Sequence, residues 1–179
     1  MTTIIYLPGL GGRWSILAQR ILLFIHKRPG RRIITFQPKW HEQESYTAKY
    51  ARFEHFIKSK GGNIVLYAAS AGGPLAIASL AQLPQIERAT IVCGKLSGSA
   101  TIGQPFRDRA PALYDAVKKS EQLIAQKSSI ISKKITILQP IHDGVVPLND
   151  MLVPGAVTKT LPAHSHATAI VLALFRHFP

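Results

Sequence analysis

The sequence predicts a three-layer α/β/α architecture around a mostly parallel six-stranded sheet, and three observations carry that prediction. Short segments rich in Ile, Val and Leu alternate with helix-compatible stretches along the 179 residues. The segments are near-continuously apolar, the pattern of parallel strands buried on both faces and joined by right-handed crossovers. Polar residues suited to chemistry follow directly after several of these segments, where open parallel sheets gather functional groups.

Taken in order, residues 3–7 read as the first strand and 14–27 as the first helix, followed by a strand over 32–36 and a helix over 43–58. A strand over 63–67 leads into a helix over 73–83, and a strand over 88–93 is followed by a helix over 112–126. Strands over 134–138 and 157–161 and a closing helix over 167–178 complete the set. One domain spanning 1–179 accommodates all of them, with 95–109 as the one stretch long enough for a short cap.

Composition narrows the class. A hydrophobic fraction of 46% with scattered Gly and Pro is globular, and neither a repeat nor a low-complexity tract interrupts it. No apolar run reaches the roughly 20 residues of a membrane span. Met1-Thr2-Thr3 enters a strand-like segment with no basic leader, so a soluble cytoplasmic protein is expected. The single cysteine, Cys93, lies in an apolar run, which excludes an internal disulfide and points to a buried structural thiol. Twenty-two Lys and Arg against nine Asp and Glu give +13, a field able to attract acidic partners. The one dense cluster, Lys27, Arg28, Arg31 and Arg32, has no aromatic interleaving and reads as solvated surface rather than a specific nucleic-acid or lipid site.

The most informative motif is Ala68-Ala69-Ser70-Ala71-Gly72-Gly73 after the strand over 63–67. A serine hydroxyl becomes a useful nucleophile when a tight strand-to-helix turn lifts it out of the sheet beside a base, and the turn needs small residues two positions either side. Ala68 and Gly72 meet that need around Ser70, although the usual form carries glycine at both. The structural alternative is a serine N-cap.

After the first strand, Leu7-Pro8-Gly9-Leu10-Gly11-Gly12 offers free backbone N–H groups for an anionic oxygen. With the residue following the nucleophile, this assigns an oxyanion hole to Leu10 and Ala71. A phosphate loop is the rival use, but neither G-x-G-x-x-G nor the Lys-containing pattern is present.

Asp143, in His142-Asp143-Gly144 after the fifth strand, is placed to orient a histidine, as an alternative to a plain Asp-Gly turn. Ala163-His164-Ser165-His166 after the last strand presents two candidates for the general base, suited to it by an ordinary pKa of about 6.5. His166 is preferred and His164 held in reserve. The other histidines, His26, His41, His55, His142 and His177, read as surface or helix-face residues. A zinc site from His142, Asp143, His164 and His166 is the metal alternative, without a helical H-E-x-x-H or cysteine pair behind it.

The chain order Ser70, Asp143, His166, with Leu-Pro-Gly-Leu-Gly-Gly and Ala-Ala-Ser-Ala-Gly-Gly, resembles the α/β-hydrolase family over essentially the whole length. It is most similar to the minimal lidless serine esterases and lipases of bacteria. It departs from them in Ala68 and in Pro8-Gly9, where many relatives carry His-Gly. The resemblance implies a Ser-His-Asp hydrolase of small acyl esters with an acyl-enzyme intermediate and no cofactor. Leu96, Ile102 and Phe106 are expected to wall the acyl pocket. A non-catalytic binding protein on the same scaffold, and a thioesterase or amidase with the same residues, are the alternatives. Oligomeric state is not encoded in any of these features.

Overall fold

The computed structural model of the chain describes residues 2–10, 20, 23–26 and 29–179. Six strands, β1 (Thr2–Leu7), β2 (Arg31–Thr35), β3 (Ile64–Ala69), β4 (Ile86–Val92), β5 (Ile135–Pro140) and β6 (Val157–Leu161), form one sheet in the order β2-β1-β3-β4-β5-β6. Every pairing is parallel. Leu7 is in register with Ala68, Ala69 with Val92, Val92 with Leu138 and Pro140 with Leu161, so these strands end along one rim.

The helices are α1 (Tyr46–Lys58), α2 (Gly73–Gln82), the short α3 (Gln104–Arg109), α4 (Pro111–Ile131) and α5 (His166–Arg176). Helices α1 and α2 both pack on α4, and α2 also lies on β3 and β4, while α5 packs over β4, β5 and β6. Residues Gly73 to Leu80 of α2 are all buried, which is why this helix is apolar around its whole circumference. Among the described residues no helix is long and apolar enough to cross a membrane.

The expected elements match with shifted ends. Helix α4 was to stop at 126; it runs to Ile131 across a non-helical Lys127 (φ −133°, ψ 22°). The helix expected over 14–27 lies largely outside the described residues, of which 20 and 23–25 are helical. Burial on both faces holds for β3, whose six residues are all buried, and fails at the sheet margins. Val157 to Thr160 of β6 and Arg31 and Arg32 of β2 are exposed, because each of these strands has a neighbour on one side only. Lys27 and Arg28, the other half of the basic cluster, lie outside the described residues.

A charged group inside the fold holds the chain between β2 and α1. Lys49 is fully buried, and its Nζ donates to the Lys39 carbonyl at 2.7 Å and to Glu44 Oε2 at 3.4 Å. A buried ammonium persists only when paired in this way. Arg52 adds bonds to the Gln37 and Pro38 carbonyls and to Glu44.

Candidate active site

Strand β3 delivers its chain to Ser70 at the sheet rim, where the backbone turns through a 3₁₀ segment, Ser70–Gly72, straight into α2. Ser70 sits at φ +50°, in the left-handed region that non-glycine residues avoid. Strain of this kind persists only where neighbours enforce it, and it is typical of an exposed nucleophile on a strand-to-helix turn. The neighbours are visible. A Cβ on Gly72 would lie 2.4 Å from the Leu7 carbonyl oxygen, and one on Gly9 would lie 2.9 Å from Ser70 Cβ. The close approach therefore falls on Gly72 and on the β1 loop, while Ala68, completely buried within β3, is accommodated with its methyl group.

Across the rim, after β5, Asp143 turns its carboxylate back onto its own loop. Oδ1 accepts from the Val145 and Val146 amides at 2.8 and 2.9 Å, and Oδ2 is 2.8 Å from His166 Nδ1. Its side chain is fully buried. Burial by itself raises the Asp143 pKa, but the two amides and the imidazole outweigh it and hold the carboxyl below its ordinary value. The bond leaves Nε2 as the ring nitrogen available to another partner, with Nδ1 carrying the proton.

Of the two candidate bases it is His166 that Asp143 holds, and His164 is exposed. The local cause is the N-cap of α5. Ser165 Oγ accepts from Thr168 N at 3.3 Å, so the helix begins at His166 and fixes its ring against the β5 loop, with His164 upstream.

A cavity of about 400 Å³ opens at Ser70. Leu10 and Ala71, the two expected oxyanion donors, line it beside the serine. Ala71 lies in the first turn leading into α2, where backbone N–H groups lack helical partners. Gly11, Gly12 and Trp14 lie outside the described residues. The other walls are mainly apolar, from Ile102 and Phe106, from Leu113 and Val117 of α4, and from Val145, Val146 and Pro147 of the Asp143 loop, with Lys95, Thr101 and Gly103 completing the lining. Leu96, expected to share in this wall, is buried and does not line it. Its Cδ2 fills the gap beside Gly73, 2.9 Å from where that residue's Cβ would stand, and so tightens the contact of α2 with the end of β4.

Two carboxylates pin the stretch that carries Ile102. The Asp150 carbonyl accepts from Leu96 N and Ser97 N at 2.8 and 3.1 Å, and Asp150 Oδ2 pairs with Lys95 Nζ at 2.6 Å. Glu121 of α4 accepts from Ser99 Oγ at 2.6 Å and from the Gly98 and Ser99 amides at 3.3 and 3.4 Å. Gly98 is at φ +70° with the Asp150 carboxylate 2.5 Å from where its Cβ would be, so a side chain here would be strained and would have to displace that carboxylate.

Of the residues of the metal alternative, Asp143 and His166 come together, while His142 and His164 belong to no converging group among the described residues. Among the described residues the group whose ligand atoms do converge is Cys93, Asp143 and His166, all within 4.8 Å of one another. Cys93 is buried as expected, but its place against Asp143 was missed in the sequence. Of the other histidines, His41, His55, His142 and His177 are exposed, and His26 stacks on Phe178 with ring centroids 5.0 Å apart.

No family model matches the chain, and no curated protein does. Solved structures do match. A hydrolase from Pseudomonas aeruginosa PA01 superposes with a TM-score of 0.68 at 13% identity, over 98% of this chain and 90% of that one. A metagenome-derived lipolytic enzyme gives 0.66 at 14% identity, over 98% and 91%. An α/β hydrolase from the metagenome of lagoon sediments at Mar Chica, Morocco, gives 0.63 at 18% identity, over 98% and 89%. At such identities the likeness concerns the path of the backbone, and it extends over nearly the whole of both partners. The all-parallel sheet, the strand order and these superpositions together give this chain the α/β-hydrolase fold.

Proposed function

We propose that the chain is a serine hydrolase acting on acyl esters, with Ser70 as nucleophile, His166 as general base and Asp143 as its orienting acid. The observation that carries this reading is the strained turn that presents Ser70 at the mouth of an apolar cavity. Ser70 Oγ attacks the ester carbonyl carbon and passes its proton to His166 Nε2. Charge on the carbonyl oxygen is taken up by the Leu10 and Ala71 amides. The imidazolium, steadied by Asp143, returns the proton to the departing alkoxide, and the same groups then activate water to release the acyl group.

The cavity supports an acyl chain longer than acetyl. At roughly 30 Å³ per water-sized unit, 400 Å³ has room for an acyl group of about a dozen heavy atoms. Hydrolysis of p-nitrophenyl esters is therefore expected to rise from acetate to a maximum at medium chain length. Val117→Phe, which fills the cavity from α4, moves that maximum to shorter chains, as a chain-length series of kcat/KM reads out. An unchanged profile in the variant would place the acyl group elsewhere.

The two histidines separate cleanly by experiment. His166→Gln is expected to lower kcat by about three orders of magnitude or more, since it removes the proton acceptor of a concerted unit, whereas His164→Gln stays within about twofold. Labelling by a fluorophosphonate probe tests the reading as a whole: folded protein that fails to label at Ser70 would instead be a binding protein on this scaffold.

A further inference from the structure

Cys93 occupies a place that packing alone does not explain. Strand β4 ends at Val92, and Cys93 follows at φ +51°, a left-handed conformation in a non-glycine residue, with its amide bonded to the Leu138 carbonyl at 2.9 Å. The strain is of the kind held at functional positions. The residue is fully buried, and its sulfur, an Asp143 carboxylate oxygen and an imidazole nitrogen of His166 are mutually within 4.8 Å. The loops after β4, β5 and β6 thus each bring one polar side chain to the same point. Tyr67 of β3, a buried phenol whose hydroxyl has no hydrogen-bond partner among the described residues, lies near Cys93 as well.

We propose that Cys93 is a positioning residue for Asp143. The thiol, within 4.8 Å of a carboxylate oxygen, acts on it as a weak S–H donor, limits how much charge the carboxylate directs at the imidazole, and keeps water from it. This rests on the triad read above. Burial, and then the neighbouring carboxylate, raise the thiol well above its ordinary pKa, so the sulfur stays protonated and faces Asp143 as a donor. The groups that face this point are Asp143, His166 and Tyr67.

Alanine and serine at position 93 distinguish a donor from a filler. Cys93→Ala removes the dipole without placing a β-branched side chain at φ +51°, so the carboxylate, with one donor fewer, holds positive charge on the imidazole more firmly. The acid limb of kcat/KM against pH then moves upward by roughly a few tenths of a unit, and kcat falls about three- to tenfold with KM unchanged, the equivalent of one ordinary hydrogen bond. Cys93→Ser supplies a stronger donor, moves the acid limb the other way and restores much of kcat. A structural role alone would alter thermal stability in both variants and leave the acid limb in place, and that result overturns the proposal. Ser70→Ala measured alongside keeps the two readings separate. If it retains turnover the triad itself fails, and if it is inactive while both Cys93 variants keep the wild-type pH profile, only the role of Cys93 fails.

Discussion

Ser70→Ala is expected to remove ester hydrolysis, with kcat down by at least about 10³-fold and the fold intact. The loss is large because nucleophile, base and acid act as one unit, so deleting any member leaves only binding and the oxyanion donors. The strained backbone adds a second readout. At φ +50° a serine is held against its own conformational preference, so Ser70→Gly should be equally inactive yet more stable than wild type. Relief of such strain is worth about 1 kcal/mol or more, a rise of roughly 2–4 °C in Tm for a chain of this size. Turnover surviving in the alanine variant would end the mechanism. A glycine variant no more stable than the parent would end the strain account and leave the chemistry standing.

Gly72→Ala should bring the largest fall in stability of any methyl group added at a described glycine. Its Cβ would meet the Leu7 carbonyl oxygen at 2.4 Å and Leu7 Cβ at 2.9 Å. Neither can retreat cheaply. Leu7 is fully buried and belongs to β1, which is bonded to β2 on one side and β3 on the other, with Leu7 itself in register with Ala68. Forcing backbone apart in a close-packed interior costs about 3 kcal/mol or more, which corresponds to roughly 6–12 °C in Tm. Since the displaced turn carries Ser70, activity should fall further than the stability loss explains. Thermal denaturation with rates measured well below the transition checks both, and a Tm within a degree or two of wild type would contradict the close approach.

Much of the fold was readable because its signals are local. Apolar runs of strand length separated by helical stretches are enough for a parallel sheet, and the residue types that follow β3, β5 and β6 point to the rim. What escaped depended on neighbours that the linear sequence does not reveal. The segments of β2 and β6 carry Arg31, Arg32, Thr158, Lys159 and Thr160, polar residues that set them apart from β3, and the strand order accounts for them by leaving both strands at the margins. His164 and His166 have equivalent surroundings in sequence, Ala163 before one and Ser165 before the other. The choice between them is made by where Ser165 caps α5 and by the reach of Asp143, which is a contact across 23 positions of chain. Cys93 was legible as buried but not as adjacent to the carboxylate, since its apolar run carries no sign of the left-handed turn at its end. Leu96 shows the reverse error: a large apolar residue in the right segment, drawn away from the cavity by the space beside Gly73 and Gly94.

Because Asp150 and Glu121 already satisfy the amides of the 95–99 stretch, that side of the cavity is in place before any guest arrives. A preassembled wall behaves as a fixed gauge. On that side, entry involves no ordering of chain, and the entropy of arranging the wall has been met during folding rather than at each encounter. Discrimination among chain lengths should consequently be abrupt, set by where a rigid compartment runs out of room.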